Sequence, residues 1–155
     1  MSDKNSKSKS TLISENRKAR FNYHIEDTFE AGIVLKGTEV KACRANKVNL
    51  QDSFCAFRGM ELFLQSAHIS EYSHGNRENH EPRASRKLLL KKRELSKLLP
   101  LWQGGMSIVP LKMYFKGAYA KVLLGLAKGK KAHDKRESIK KKDVDREIAR
   151  QFRKA

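Results

Sequence analysis

Between positions 21 and 35 every odd residue except Asp27 is apolar: Phe21, Tyr23, Ile25, Phe29, Ala31, Ile33 and Leu35. Period 2 places all of them on one face of a strand, and a strand this long has to be half covered by partners that bury that face. Gly32, inside the run, marks a bulge or a sharp bend. Gly37 closes the strand, and Thr38 is placed to cap a short helix through TEVKACRA, with Val40 and Cys43 on its inner side.

The same pattern recurs downstream. SFCAF and ELFLQS flank Arg58, Gly59 and Met60, the makings of a hairpin with glycine where positive φ is cheap. YSHGNRENHEPRAS is polar and reads as a long surface loop. Ser85 then suits the N-cap of a helix over 86–99, with Leu88, Leu95, Leu98 and Leu99 on its apolar face, Leu89 about 100° away from Leu88, and Pro100 as the stop. IVPLKMYF and AYAKVLLGLA form a second hairpin at Lys116 and Gly117, with Pro110 at an edge or a bulge. About six short antiparallel strands with one long and one short helix make a mainly β domain that closes into a small barrel, with a sandwich as the alternative that pattern leaves open.

Charge says what such a domain is for. In 155 residues there are 34 Lys and Arg against 17 Asp and Glu, a formal net charge of +17. The excess is uneven: residues 21–82 are slightly acidic, whereas 1–20, 83–97 and 128–155 are strongly basic. Separate basic blocks around a near-neutral body point to a polyanion rather than to a small acidic metabolite. Residues 1–11 carry no apolar side chain after the initiator Met and are expected to be disordered. Residues 12–130 form the domain, and 131–155 form a basic tail. In that tail Asp134 and Glu137 have capping-box spacing, and Val144, Ile148 and Phe152 recur every four residues. The tail either lies on the domain or is loose until it orders along the polyanion.

Other chemistries lack their residues. GxSxG, GxGxxG and GxxxxGK[ST] are absent, so neither an activated serine nor a nucleotide cofactor has local support. His74 and His80, with Glu78 and Glu81 nearby, sit in a loop that enforces no ligand geometry, and no metal or cofactor is expected. Cys43 and Cys55 are too few for a disulfide framework, and no apolar run spans a membrane, which suits a cytoplasmic protein. Tyr23, Tyr72, Tyr114, Tyr119 and Trp102 are available to stack on bases where they are exposed beside lysines. Glu30 is different, because a carboxylate repels phosphate and can only accept hydrogen bonds from base N–H groups or orient a basic neighbour.

Five segments carry a resemblance: NRKARFNY at 16–23, DTFEAGIVLKGTEVKACRANKVNLQDSF at 27–54, NHEPRASRKLLL at 79–90, VPLKMY at 109–114 and AKGKKAHDKR at 127–136. In order and over roughly residues 12–155, the chain resembles the bacterial SsrA-binding family, also called small protein B. The resemblance implies an oligonucleotide-binding-type barrel that binds transfer-messenger RNA at its tRNA-like end and carries it to ribosomes stalled without a stop codon. It implies no catalysis, one monomer per RNA, and a tail that enters the empty message channel of the small subunit below the decoding centre. Carried over residue by residue, the RNA contacts fall on Glu30, Leu89 and Lys121 and, nearby, on Asn16, Arg17 and Lys18, with Lys128, Lys130 and Lys131 extending the surface. The ribosome-facing tail falls on Asp134, Lys135 and Arg136, followed by the segment containing Ile148. Cys43 stands where the family often has serine, and the turn at 57–60 is the chain's own.

Overall fold

The structure, a computed structural model, describes residues 10–72 and 79–129. Expectations for 1–9, for His74 and Glu78, and for the tail from Lys130 onward lie outside the described residues.

In chain order the elements are β1 (Ser10–Glu15), α1 (Arg17–Asn22), β2 (Tyr23–Ile33), α2 (Gly37–Arg44), β3 (Val48–Asn49), β4 (Phe54–Arg58), β5 (Glu61–Gln65), β6 (His68–Ile69), β7 (Arg86–Leu89), α3 (Lys92–Gln103), β8 (Ser107–Lys116) and β9 (Tyr119–Gly129). Seven strands make one antiparallel sheet in the order β1-β8-β4-β5-β7-β2-β9, and β8 also pairs with β9. The β4–β8 junction is narrow, a single register pair of Cys55 with Ile108. β3 and β6 form a separate two-stranded ladder. The result is mainly β with an oligonucleotide-binding-like sheet order. Alternate residues of each long strand, among them Leu62, Leu64, Leu88, Ile108, Met113, Val122 and Leu124, fill the main core.

Both expected hairpins form, β4 with β5 and β8 with β9, and Gly59 and Gly117 take φ of 60° and 63° in their turns. Pro110 sits at the β8–β9 register shift, so of the edge and the bulge expected for it the bulge is what forms. α2 forms over nearly the expected residues, but its N-cap is Lys36, whose N–H donates to Glu39 Oε1 (2.9 Å). Thr38 is not its cap. The Thr38 hydroxyl instead meets His80 Nδ1 at 2.9 Å.

Three further expectations are corrected. The helix expected over 86–99 is two elements, strand β7 and then helix α3, which begins after Lys91 and runs through Pro100 to Gln103. In β7 the buried Arg86 and Leu88 alternate with the half-buried Lys87 and the exposed Leu89, and pairing with β5 and β2 overrides the leucines' helical spacing. Secondly, β1 already includes Ser10 and Thr11, paired with Lys116 and Phe115 of β8. An available β8 edge orders a segment whose composition alone reads as tail.

The third correction concerns β2. Its bulge lies between Ile25 and Asp27, not at Gly32. The extra residue reverses the facing of everything after it. Tyr23 and Ile25 therefore join a satellite cluster with Ala19, Val109, Leu111 and Ala127, while Ala31 and Ile33 enter the main core and Phe29 packs against it. The unbroken run of odd apolar residues thus serves two opposite faces. Gly32 has another use: a Cβ there would stand 3.3 Å from Leu89 Cβ, so glycine permits β7 to close on β2.

Candidate nucleic-acid interface

Register assembles the site. Gly32 of β2 pairs with Leu89 of β7 and with Lys121 of β9, and Lys121 pairs in turn with Tyr114 of β8. Directly paired residues share a face, so Leu89, Lys121 and Tyr114 lie in one row across four strands. Two residues before Gly32, Glu30 stands on the same face, paired with Leu123, which pairs with Lys112. One end of this face is covered by α1 through Ala19. The other end is open, and Leu89 there is 52% exposed while its neighbour Leu88 is 2% exposed. Leu89 thus reaches solvent because it alternates with Leu88 on a strand, not because it lies off a helix face.

Glu30 is held from β8, across the intervening strand β9. The Tyr114 hydroxyl donates to Glu30 Oε2, and Lys116 Nζ approaches Oε1 at 3.3 Å. The hydrogen bond from Tyr114 holds the Glu30 carboxyl below its ordinary value against a smaller opposing effect of burial, with Lys116 and Lys121 adding to the lowering. Burial, and then the bond to Glu30, push the Tyr114 hydroxyl well above the usual tyrosine value, so it remains a proton donor. Lys112 Nζ lies 5.6 Å from the Tyr114 ring centre. The result is an ionised acceptor fenced by lysines, with an exposed leucine beside it. Such a site repels bare phosphate at its centre, attracts it at the rim, and accepts N–H or O–H donors.

Tyr114 and Lys116 were not singled out from the sequence as partners of Glu30. The signal was present in Lys112, Tyr114 and Lys116, alternate residues of one strand that share a face, but which strand lay across from Glu30 was not visible. Of the other aromatics, Tyr119 is 73% exposed beside this face and registered with Lys116, whereas Trp102 packs against Phe57 at 5.5 Å.

The remaining expected residues are spread out. Asn16 is 7% exposed, and its amide Nδ2 donates to the carbonyls of Pro110 (3.0 Å) and Leu50 (3.3 Å), tying the start of α1 to the sheet. Arg17 and Lys18 are exposed on α1. Lys18 lines a cleft of about 410 Å³ together with Tyr23, Phe54 and Trp102. Lys128 pairs with Glu26 at 3.4 Å, an ion pair open to solvent on both sides. Lys130, Lys131, Asp134, Lys135, Arg136 and Ile148 lie outside the described residues. His80 is 2% exposed with both ring nitrogens occupied, by Thr38 and by the Ile69 carbonyl, so it anchors its loop. Among the described residues no three His, Cys, Asp or Glu side chains are grouped to hold a metal, and no helix is long and apolar enough to cross a membrane.

Known proteins resemble the chain in sequence and in fold. The family model described as SmpB protein matches residues 13–154. The chain belongs to the SmpB family. The SsrA-binding protein of Shouchella clausii is 57% identical over 140 residues, covering 90% of each chain. That of Bacillus subtilis is 54% identical over 143 residues, 92% of each, and that of Carboxydothermus hydrogenoformans 55% over 143, which is 92% of this chain and 96% of the relative. Among solved structures, a chain from "tmRNA-SmpB: a journey to the center of the bacterial ribosome" superposes with a TM-score of 0.66 at 52% identity, covering 81% of this chain and 93% of the other. The SmpB family is thus supported along nearly the whole sequence, including the tail.

Proposed function

We propose that this protein is a non-catalytic, cytoplasmic adaptor that binds transfer-messenger RNA at its tRNA-like domain, one monomer per RNA, and delivers it to stalled ribosomes for rescue and tagging of the nascent peptide. The observation that carries the proposal is the convergence of Glu30, Leu89 and Lys121 on one open face, in a chain whose relatives are SsrA-binding proteins. The sheet acts as an oligonucleotide-binding-type small barrel whose outer face reads RNA. Lys121 and the lysines around Glu30 meet phosphates, Leu89 packs on a sugar or base, and Glu30 accepts from a base or ribose donor. Asn16 fixes α1 so that Arg17 and Lys18 extend the surface, with Lys128, Lys130 and Lys131 continuing it toward the tail. Asp134, Lys135, Arg136 and the segment around Ile148 serve the decoding centre and the message channel of the small subunit.

Glu30→Ala tests the central contact. Loss of a carboxylate makes the protein more basic, so pure electrostatics predicts slightly tighter RNA binding. Hydrogen-bonded recognition predicts binding weaker by about 1–3 kcal/mol with nearly unchanged salt dependence. Filter binding to the tRNA-like fragment across a salt series separates the two, and a tighter Glu30→Ala complex rejects the assignment.

A further inference from the structure

We infer that Tyr114 is the positioning residue of the RNA site, holding the Glu30 carboxylate in the orientation in which it accepts from RNA. The inference rests on the assignment of Glu30 to RNA contact made above and adds a residue that assignment does not contain.

The geometry leaves the Tyr114 hydroxyl this one role. Tyr114 is 8% exposed, too covered to offer a ring face to a base, yet it lies on the outer row of β8 rather than in the main core. Its hydroxyl donates to Glu30 Oε2, and Glu30 is the hydroxyl's hydrogen-bond partner across two strand boundaries, β8 to β9 to β2. A half-exposed glutamate on a sheet surface ordinarily samples several rotamers, and fixing it on binding costs affinity. A bond from a donor on the sheet itself removes that cost beforehand. Each carboxylate oxygen has two lone pairs, so Tyr114 on Oε2 and Lys116 on Oε1 leave one acceptor direction on each oxygen for RNA. Lys116, exposed and 3.3 Å away, is free to swing to a phosphate, whereas the buried tyrosine stays.

The groups facing Glu30 are Tyr114, Lys116 and Lys112 of β8 and Lys121 of β9, while β7 contributes the uncharged Leu89. All the charged ones are cations, and Tyr114 supplies the largest part of the lowering of the Glu30 pKa. With Tyr114 present the carboxylate therefore stays ionised to a lower pH. Without its hydroxyl, Glu30 protonates at a higher pH, and specific binding fails earlier on acidification.

The test compares wild type, Tyr114→Phe, Glu30→Gln and the double variant in the full chain. Affinity is read for the tRNA-like fragment of transfer-messenger RNA and for an unrelated RNA duplex of equal length, from pH 4 to 8. Tyr114→Phe keeps the buried ring, and thermal unfolding of each variant verifies that the fold is retained. The expected results are a loss of about tenfold for the specific fragment in Tyr114→Phe, little change for the duplex, and no further loss when the substitution is added to Glu30→Gln. The acid limb of binding moves to higher pH in Tyr114→Phe and disappears in Glu30→Gln. Wild-type affinity and an unmoved acid limb in Tyr114→Phe, with Glu30→Gln impaired, overturn the inference while the Glu30 assignment stands. Additive losses also overturn it, since Tyr114 would then act on RNA independently. Undiminished binding by Glu30→Gln overturns the Glu30 assignment itself and the inference with it.

Discussion

Arg86 gathers segments that the chain separates widely. Its guanidinium donates through Nε to Glu39 of α2, through Nη1 to the Ala67 carbonyl (2.8 Å), and through Nη2 to the carbonyls of Glu81 (3.2 Å) and Pro82 (3.0 Å). Both charged side chains are almost fully buried, and Glu39 also accepts from the Lys36 N–H at the start of α2. Removing the cation leaves the buried Glu39 carboxylate without its counter-charge and takes a donor from the carbonyls of Ala67, Glu81 and Pro82, so Arg86→Ala is expected to lower stability by about 3–5 kcal/mol. Arg86→Lys should recover only part, because an ammonium lacks the planar fork that reaches three directions. Urea unfolding checks this through the midpoint at constant slope. The cysteines give a second prediction at this scale. Burial pushes the Cys43 thiol up to about 12, with Glu39 adding to it, and burial alone raises Cys55. At pH 8 neither is a thiolate to any useful extent, so iodoacetamide should label both only after unfolding. Rapid labelling of the native protein would contradict this.

Among the elements, two bulges decide how the outer face is divided. The β8 bulge between Pro110 and Lys112 inserts Leu111, and Gly125 on β9 makes room for it. A Cβ at Gly125 would stand 3.1–3.2 Å from three atoms of the Leu111 side chain. Leu111 in turn packs with Ala19 of α1, Val109 and Ala127. Gly125→Val should therefore lower stability by about 1–3 kcal/mol through overpacking. It should also loosen α1 before the β4–β5 hairpin, which lies in the other cluster. Hydrogen exchange resolves this: faster exchange in α1 with little change in β4 and β5 is expected, and Leu111→Ala in the same chain should partly restore protection.

For the whole molecule, charge and fold are segregated. The candidate face of the sheet gathers Glu30 with Lys116 and Lys121, whereas the strongest run of basic residues follows β9. A chain ending near residue 130 is accordingly expected to keep most of its affinity for transfer-messenger RNA and most of its salt slope in filter binding. Loss of all specific binding would contradict a division between an RNA-reading body and a ribosome-reading tail. The complementary variant is Ile148→Pro, which puts a helix-breaking residue into the every-fourth spacing of Val144, Ile148 and Phe152, outside the span 12–130 expected to form the body. It should bind transfer-messenger RNA nearly normally yet block peptide transfer on reconstituted ribosomes carrying truncated message. Normal transfer would remove the tail from the sensing of the empty channel.

Local rules were sufficient for the parts of this protein whose neighbours are close in sequence. The two hairpins, α2 and the Pro110 bulge follow from turn glycines, short alternating runs and a missing N–H, each decided within about ten residues. The charge blocks and the five family segments likewise carried the functional class and the choice of Glu30, Leu89 and Lys121. Longer-range competition decided the rest. The leucines of 86–99 satisfy a helix, but Leu88 gains more by entering the core between β5 and β2, so the first four residues became β7. Ser10 and Thr11 became a strand because β8 offered an unpaired edge. One inserted residue in β2 sent same-parity side chains to opposite faces, which no periodicity shows, since the register belongs to the pair of strands and not to either one. For the same reason the contact between Tyr114 and Glu30 was not legible: Tyr114 reaches Glu30 only across β9, which lies between β8 and β2.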